Sequence, residues 1–442
     1  MSENVFSIDL YIPAQAAAET EAIITKWLVA EGDTFEKGQV IAEIESAKST
    51  FDFEAPCKGK VEKLLYPDTA SVSFDKPVVV ITTSDEAMRT WERPATPAPV
   101  QEDTAELPKM TIVAEKLEPS VRTISLLGFG ICLPDRVVKT GELLSEFPGT
   151  TEEYMFRVTG INERRWTADG VLPSDMAYEA SVKAIENSGL KPSDIDAIIV
   201  STTTPDVVMP STACILQGKL GIRGAPAFDL NAACSGWLYA ISVARGLILS
   251  GIAKNVLVAG TEIQSRVLDK SDKDTYFLFG DGAGATVLSG VEEGHIIKEE
   301  ILSADPLGLH MAKREFPGYE VPTNASSFDP WLRLDGKALF RFATESFSAM
   351  VRELIIKSNW APEDVRWVVP HQANGRIIKA AAQKSGVPFE RFYLNLDRVG
   401  NTSSASIPIA LSEIEKGIQK KDKIIFCTVG AGITAAGMSI EW

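Results

Sequence analysis

Residues 226–237 read Pro226-Ala-Phe-Asp-Leu-Asn-Ala-Ala-Cys234-Ser-Gly-Trp237 and mark the passage from a buried strand to a helix. The apolar run predicts a strand, the small residues predict a turn, and the helix is expected to begin just after Cys234. Unpaired N–H groups and the macrodipole at a helix N-terminus favour an anion, so we expect the pKa of a thiol there to be lowered. Most free cysteines are buried structural residues, and position alone leaves that interpretation open.

The same alternation of strand and helix extends on both sides of this turn. Buried strands are predicted at 197–201, 256–259, 367–369 and 424–429, and helices at 176–187, 237–249 and 343–358. Such alternation is typical of an α/β core. The region from residue 121 to the C-terminus is large for one simple sheet and would suit two similar halves, although no short sequence repeat shows a duplication.

Two further segments place polar side chains where a strand meets a helix. His371 lies in VVPHQANGR (368–376), and Asn401 follows Gly400 ahead of another predicted helix. Taken singly, the histidine can be a structural residue and the asparagine an N-cap. Together with Cys234 they suit thioester chemistry, because a thiolate attacks an acyl thioester while two neutral donors stabilise an enolate formed by decarboxylation.

The N-terminal region differs in composition from the rest. Residues 1–86 hold 16 acidic and 7 basic side chains. Short β-type runs at 40–44, 51–53 and 78–82 predict a small all-β domain. Residues 87–119 are rich in Pro, Ala, Thr and Glu without periodicity, which is typical of a semi-stiff linker. We therefore predict domains at 1–86 and 120–442, joined by this linker.

Charge and cysteine usage exclude several classes of protein. The chain has 44 Lys and Arg against 60 Asp and Glu, a formal charge of −16, which disfavours binding to nucleic acid or to an anionic membrane. Five widely spaced cysteines without a CxxC pair argue against a disulfide framework or a thiolate metal site. With no signal peptide and no apolar run of membrane-spanning length, a cytoplasmic protein without a metal is expected.

Residues 121–442 resemble β-ketoacyl-acyl-carrier-protein synthase III, a condensing enzyme with the duplicated thiolase fold. The resemblance rests on six segments in the family's order and spacing: AFDLNAACSGW, LFGDGAGATVL, LDGKALFRFA, PHQANGRI, VGNTSSASIPIAL and GAGITAAGMSIEW. It implies an α/β fold of layered helices and sheets, with halves at roughly 120–290 and 291–442. It also implies a homodimer and an acyl carrier protein as partner.

The resemblance implies roles for individual residues. Cys234 would be the acylated nucleophile, with His371 and Asn401 binding the thioester carbonyl of a malonyl extender. Backbone N–H groups of Cys234 and Ala431 would form the oxyanion hole. Arg376 matches an arginine that docks the acidic carrier protein in the family.

Lys379 and Lys384 follow Arg376 on the same predicted helix and extend this basic patch. The segment Gly280-Asp281-Gly-Ala-Gly-Ala lacks the lysine and the strand context of a phosphate-binding loop. We expect it to form a tight turn beside the site instead.

The segments that hold the adenine of acyl-CoA in many relatives depart from the family pattern. Tyr154 replaces a tryptophan, and Lys273 replaces an arginine whose flat guanidinium stacks on the adenine. Arg157 would be the neighbouring group able to compensate. Met209 replaces a phenylalanine that helps to close the acyl pocket of the partner subunit. The predicted substrate-binding residues are Tyr154, Met209, Lys273 and Asn374, and the acyl donor is acyl-CoA or an acyl-carrier thioester.

Residues 40–61 resemble the biotinyl/lipoyl attachment domain, whose modified lysine lies on a hairpin turn. EGDTFEKGQVIAEIES precedes Lys48 and EAPCKGKV follows shortly after it. The Met-Lys-Met sequence of biotin carriers is absent, so the resemblance favours a lipoyl group on Lys48 over biotin. An unmodified docking domain is the alternative.

The sequence thus predicts a condensing acyltransferase with a tethered lipoyl-type domain. A linker of roughly 30 residues spans about 30 Å and would set a local donor concentration on the order of millimolar, so a lipoyl arm could deliver the acyl group to Cys234. Two other functions stay open. The chain could transfer acyl groups to another nucleophile without decarboxylation, or it could be a non-catalytic scaffold for carrier proteins.

Overall fold

A computed structural model describes the chain as two compact units, residues 1–109 and 110–442. The described residues are 5–13, 21–46, 50–91, 123–291, 294–315 and 329–442. Lys48 and most of the predicted linker therefore lie outside the described residues. The predicted domain limits at 86/87 and 119/120 stay predictions.

The described part of the N-terminal unit consists of two four-stranded sheets with the orders β1-β8-β6-β3 and β5-β4-β2-β7. The strands are β1 (Phe6–Leu10), β2 (Glu21–Trp27), β3 (Thr34–Phe35), β4 (Val40–Ser46), β5 (Thr50–Glu54), β6 (Gly59–Leu64), β7 (Ala70–Ser73) and β8 (Val79–Thr83). Apolar residues at every second position, such as Ala22 and Ile24 in β2, form a core between the sheets. This is the small all-β unit that the sequence predicts.

The C-terminal unit alternates strands and helices. Its strands are β9 (Ser125–Cys132), β10 (Val137–Lys139), β11 (Glu163–Arg165), β12 (Ala197–Ser201), β13 (Ala227–Leu230), β14 (Asn255–Ile263), β15 (Asp281–Ser289), β16 (His295–Ala304), β17 (Ala312–Lys313), β18 (Arg333–Leu334), β19 (Val365–Pro370), β20 (Lys423–Gly430) and β21 (Thr434–Glu441). Its helices are α1 (Thr140–Leu143), α2 (Glu152–Thr159), α3 (Pro173–Asn187), α4 (Thr212–Leu220), α5 (Gly236–Leu249), α6 (Lys273–Tyr276), α7 (Gly336–Lys357), α8 (Gly375–Ser385), α9 (Leu396–Val399) and α10 (Ser406–Ile414). No helix in the described ranges is long and apolar enough to cross a membrane.

The strand order shows an internal duplication. The first half has the order β13-β12-β14-β15-β9, with β12 parallel to β13 and β14, and with β15 antiparallel to β14 and β9. The second half repeats it as β19-β20-β21-β16. Phe392, in a parallel bridge to Val368, occupies the place of β13. The two halves thus have the same strand order, although their sequences show no repeat.

The duplication brings two equivalent turns together at the centre of the unit. A one-turn 3₁₀ helix at Ala233–Ser235 precedes α5, and another at Ser403–Ala405 precedes α10. Their first residues have nearly the same left-handed φ, 48° at Ala233 and 49° at Ser403. The two turns contact one another. Side chains on them therefore meet although they are far apart in sequence.

The predicted tight turn at Gly280–Ala285 is wrong for most of its length, because residues from Asp281 onward form strand β15. The glycines and alanines of this segment allow another element to pack closely on the strand. A Cβ at Gly284 would lie 2.6 Å from the Pro408 side chain, so α10 packs directly on this strand. The strand still begins beside the site, since Gly280 N donates to Asn401 O at 3.0 Å.

Candidate active site

Cys234 lies in the 3₁₀ turn at the start of α5 and is held by the β20–β21 hairpin. Thr428 Oγ1 donates to Cys234 O at 3.1 Å, and Ser235 Oγ donates to Thr434 O at 3.3 Å. Gly430 packs so closely that a Cβ there would lie 2.9 Å from Cys234 N. The segment that leads to Ala431 therefore runs beside the backbone of Cys234, and the oxyanion hole formed by these two residues stays a prediction.

Burial controls the charge state of the Cys234 thiol. The side chain is half-buried, and desolvation raises its pKa to about 12. A hydrogen bond with Ser403 acts in the opposite direction, and the negative charge of Glu262 raises the pKa further. The sequence predicts a lowered pKa at this helix start, whereas burial of the thiol raises it. The resting group is a neutral thiol.

His371 follows β19 and is held in place by Ser406. Its Nδ1 lies 2.6 Å from Ser406 Oγ, and that oxygen also accepts a hydrogen bond from Gln372 N at 3.2 Å. These contacts hold the imidazole ring in place, and a Ser406 hydroxyl that donates to Nδ1 leaves the imidazole proton on Nε2. Burial lowers the pKa of His371 to about 3, so the ring stays neutral.

Asn401 is oriented by the 3₁₀ turn that follows it. Its Oδ1 accepts from Ser403 N at 2.8 Å, and its backbone N donates to Leu278 O at 2.9 Å. With Oδ1 engaged, the amide presents Nδ2 as a donor. The side chain is buried.

The segment Asn401–Ser406 links the three predicted catalytic residues. Ser403 Oγ lies 3.5 Å from Cys234 Sγ, Ser406 Oγ lies 2.6 Å from His371 Nδ1, and Asn401 begins the segment. The site thus combines a thiol with two neutral N–H donors. Such a set stabilises negative charge on a substrate oxygen without supplying a proton.

Sequence reasoning missed Glu262, at the end of β14. Its carboxylate is fully buried and accepts from Ser403 Oγ at 3.2 Å, so it lies one hydroxyl away from the Cys234 thiol. The available signal was the acidic residue within the apolar run VLVAGTEI (256–263), since charged groups are rarely buried without a specific reason.

Three family models match parts of the chain. Residues 228–306 match 3-oxoacyl-[acyl-carrier-protein] synthase III, and residues 355–442 match the C-terminal part of the same enzyme. Residues 8–81 match a model described as biotin-requiring enzyme. The first two ranges include Cys234, His371 and Asn401.

Two relatives that match most of the C-terminal unit carry the same name. β-Ketoacyl-[acyl-carrier-protein] synthase III of Clostridium perfringens is 42% identical over 324 residues, which cover 71% of this chain and 98% of the relative. The enzyme of the same name from Caldanaerobacter subterraneus is 39% identical over 322 residues, covering 72% of this chain and 97% of the relative. The chain belongs to the β-ketoacyl-acyl-carrier-protein synthase III family.

Solved structures agree with the family assignment. 3-Oxoacyl-[acyl-carrier-protein] synthase III from Aquifex aeolicus superposes with a TM-score of 0.67 at 37% identity, covering 72% of this chain and all of the other. The priming β-ketosynthase of the R1128 polyketide pathway gives a TM-score of 0.69 at 33% identity, covering 73% and 97% of the two chains. The predicted thiolase-like fold and the small biotinyl/lipoyl-like unit are confirmed.

In this synthase III chain the basic patch is built differently from the sequence prediction. Arg376 and Lys379 are exposed on α8, and the Arg376 guanidinium carbon lies 5.8 Å from the centroid of the Phe340 ring on α7. Lys384 pairs with Glu345 of α7, which neutralises its charge. Lys337 and Arg341 are exposed on α7, which packs against α8, and sequence reasoning missed them. We call Lys337, Arg341, Arg376 and Lys379 the α7–α8 basic face.

The predicted substrate-binding residues are spread over several elements of the synthase III unit. Tyr154 on α2 lies 5.5 Å from the guanidinium carbon of Arg157, measured from the ring centroid. Lys273 is exposed at the start of α6. Asn374 caps α8 through a bond from Arg376 N at 2.8 Å and donates to Val158 O at 3.0 Å. Its polar atoms thus hold α2 against α8, and substrate binding by Asn374 stays a prediction.

Met209 lies at the tip of an exposed apolar loop. Val207, Val208 and Met209 are 48%, 76% and 86% exposed within one chain. Large apolar side chains that are exposed in a row typically mark an interaction site.

Proposed function

We propose that the protein is a condensing acyltransferase that extends an acyl thioester by two carbons with loss of CO₂. The observation that carries the proposal is the segment Asn401–Ser406, which contacts the Cys234 thiol through Ser403 and fixes the His371 imidazole through Ser406. A thiol nucleophile and two neutral donors in one site suit acylation followed by decarboxylation.

In the first half-reaction Cys234 sulfur attacks the carbonyl carbon of the acyl donor. The C–S bond to Cys234 forms, the bond to the donor sulfur breaks, and the donor leaves as a thiol that carries the proton lost from Cys234. The N–H groups of Cys234 and Ala431 would hold the oxyanion of the tetrahedral intermediate. Gly430 keeps these two backbone positions close together.

In the second half-reaction a malonyl group on a carrier protein loses CO₂. The electron pair of the broken C–C bond becomes an enolate, whose oxygen receives hydrogen bonds from His371 Nε2 and Asn401 Nδ2. The enolate carbon then attacks the acyl carbon on Cys234, which forms the new C–C bond and releases the cysteine sulfur. A neutral imidazole suits this step, because a strong acid would protonate the enolate before it reacts.

Intact-mass measurement of the protein incubated with candidate acyl thioesters tests the proposal. We expect one acyl group to be added on Cys234 and to be lost again when malonyl-carrier protein is supplied. A chain that forms no acyl-enzyme with any donor would be a carrier-protein scaffold instead.

We further propose that the enzyme is a homodimer that uses the exposed loop Val207–Met209 at its interface. Removing this row of apolar side chains from water supplies a driving force for association. Met209 would then border the acyl pocket of the partner subunit, where its flexible thioether adapts to different chains.

The α7–α8 basic face is the proposed docking site for an acidic acyl carrier protein. Arg376→Glu is expected to raise the apparent KM for malonyl-carrier protein severalfold with little change in kcat, because charge reversal weakens encounter and leaves the reacting groups in place. Steady-state kinetics at low and high salt measure this, and the difference should shrink as salt screens the charges.

Lys384→Gln is the matched control for Arg376→Glu. Lys384 lies on the same helix and is paired with Glu345, and its change to glutamine removes one unit of charge where Arg376→Glu changes two, so we expect a smaller change in KM. An unchanged KM of Arg376→Glu at low salt would refute docking at this face.

We propose Lys48 as the attachment residue of a lipoyl group. The strands that flank it pair antiparallel, with Glu45 opposite Thr50, which fits an attachment lysine between paired strands. In its reduced, dihydrolipoyl form this group would supply a thiol that can carry an acyl group as a thioester. The match to the attachment-domain family and the altered adenine-binding positions Tyr154 and Lys273 support this donor over acyl-CoA.

Lys48→Arg is expected to reduce acylation of Cys234 by the native donor, since arginine is not a substrate for lipoylation. Small free acyl thioesters should still label Cys234 at the wild-type rate. Both rates can be followed by intact mass, with Lys58→Arg as a control lysine of the same unit. Deleting residues 1–86 should have the same effect as Lys48→Arg. A silent Lys48→Arg beside a defective deletion would indicate a docking domain without a prosthetic group.

A further inference from the structure

Glu262 is a fully buried carboxylate surrounded by hydrogen-bond donors. Its side chain is 0% exposed. The donors to its two oxygens are Thr203 N, Thr203 Oγ1, Thr204 Oγ1, Gln264 Nε2, Ser403 Oγ and Ser404 Oγ, at distances between 2.7 and 3.3 Å. Burying a charge is costly, and so dense a set of donors is what an ionised carboxylate needs at such a site.

The duplicated fold explains why Glu262 faces the catalytic turn. Strand β14 in the first half corresponds to β20 in the second half, and each ends against the 3₁₀ turn of the other half. At the end of β20, Gly430 lies against the backbone of Cys234, and near the end of β14, Gly260 lies against Ser404. Glu262 follows Gly260 by two residues and therefore reaches the turn that carries Ser403.

We propose that Glu262 accepts the proton of the Cys234 thiol through the hydroxyl of Ser403 and so generates the nucleophile. Ser403 Oγ lies 3.5 Å from Cys234 Sγ and 3.2 Å from Glu262 Oε1, which completes a path of two hydrogen bonds. This inference rests on the proposed role of Cys234 as the acylated group.

The transfer conserves protons and charge. The S–H bond of Cys234 breaks as its proton passes to Ser403 Oγ, while the original hydroxyl proton of Ser403 passes to Glu262 Oε1. Ser403 then donates to the thiolate and accepts from the neutral carboxyl group. The buried pair holds one negative charge before and after the step. Ionising the thiol beside an ionised Glu262 would instead place two negative charges in one buried site.

His371 is a weaker candidate for this proton. Its Nδ1 is already hydrogen-bonded to Ser406, and burial lowers its pKa to about 3. Glu262 Oε1 ends the hydrogen-bonded path that starts at Cys234, and burial raises the pKa of this carboxyl group, so both features favour Glu262 as the acceptor. The charged and titratable groups near Glu262 in the described residues are Cys234 and Arg314. Arg314 Nη1 donates to Thr203 O at 3.4 Å, and Thr203 in turn donates to Glu262.

The pH dependence of Cys234 alkylation by iodoacetamide tests the proposal. In the wild-type chain the reactive form arises by internal transfer, so the rate should change little between about pH 6.5 and 9. In Glu262→Gln the thiol must lose its proton to solvent, and the rate should rise about tenfold for each pH unit. A merely structural role of Glu262 would lower the rate without changing its slope against pH.

Two serine variants sharpen the test and keep it decisive if Glu262→Gln does not fold. Ser403→Ala breaks the path and should show the steep profile, whereas Ser404→Ala removes another donor to Glu262 without touching the thiol and should keep the flat profile. A flat profile in Glu262→Gln or Ser403→Ala would overturn the relay, as would a steep one in Ser404→Ala. Alkylation needs no malonyl substrate, so this result is independent of whether the enzyme condenses acyl groups.

Discussion

Replacing Cys234 with alanine is expected to abolish both stable acylation and condensation. In the described part of the chain no other cysteine lies in a 3₁₀ turn between a strand and a helix, and this thiol is the proposed nucleophile of the first half-reaction. Intact mass after incubation with an acyl thioester should show no adduct, and no β-ketoacyl product should form. The fold should survive, because the substitution removes only one sulfur atom from a half-buried position and so leaves a small cavity.

Cys214→Ala is the control for this prediction. Cys214 is exposed on α4 and so tests whether any accessible thiol takes the acyl group. We expect normal acylation of this variant. A persistent acyl-enzyme in Cys234→Ala would remove Cys234 from the mechanism.

His371→Ala and Asn401→Ala are expected to slow condensation by about 10²–10³-fold for each lost donor. Both donors act on one developing oxyanion, so the double variant should lose less than the product of the two single effects. Self-acylation should continue in all three variants, because neither donor is needed to hold the acyl oxygen. Single-turnover measurement of each half-reaction separates the two effects.

Asn401→Asp sharpens the prediction for Asn401. Aspartate keeps the oxygen that accepts from Ser403 N, so the turn is preserved. It lacks the Nδ2 donor, so the proposed hydrogen bond to the enolate oxygen is lost. We expect a defect as large as that of Asn401→Ala. If these variants condensed fast but failed to acylate Cys234, His371 and Asn401 would act in the acylation step and not in decarboxylation.

The strands and helices with strong apolar patterns could be predicted from the sequence. The predicted strand at 197–201 matches β12, and the predicted helix at 237–249 differs from α5 by one residue. Helix α7 begins at Gly336, earlier than the predicted residue 343, because its first turns carry exposed basic residues that blur the apolar stripe. Strand β15 was missed because its glycines, which admit the close approach of α10, carry no strand signal.

The three catalytic candidates could be found because each stands where a strand meets a helix, yet their electrostatics could not. A one-dimensional pattern gives the helix start at Cys234 but not the loss of hydration that raises its pKa to about 12. Glu262 and Ser403 are distant in sequence, and only the pairing of the two halves brings them together. Likewise, neutralisation of Lys384 by Glu345 requires the packing of α7 against α8.

The central claim, decarboxylative condensation on Cys234, is tested most directly by counting CO₂. The protein is first acylated on Cys234 and then mixed with malonyl-carrier protein labelled in its free carboxyl group. The account predicts one labelled CO₂ and one β-ketoacyl thioester for each acyl group that leaves Cys234. Discharge of the acyl group onto any acceptor without release of labelled CO₂ would contradict it and would identify an acyltransferase of a different kind.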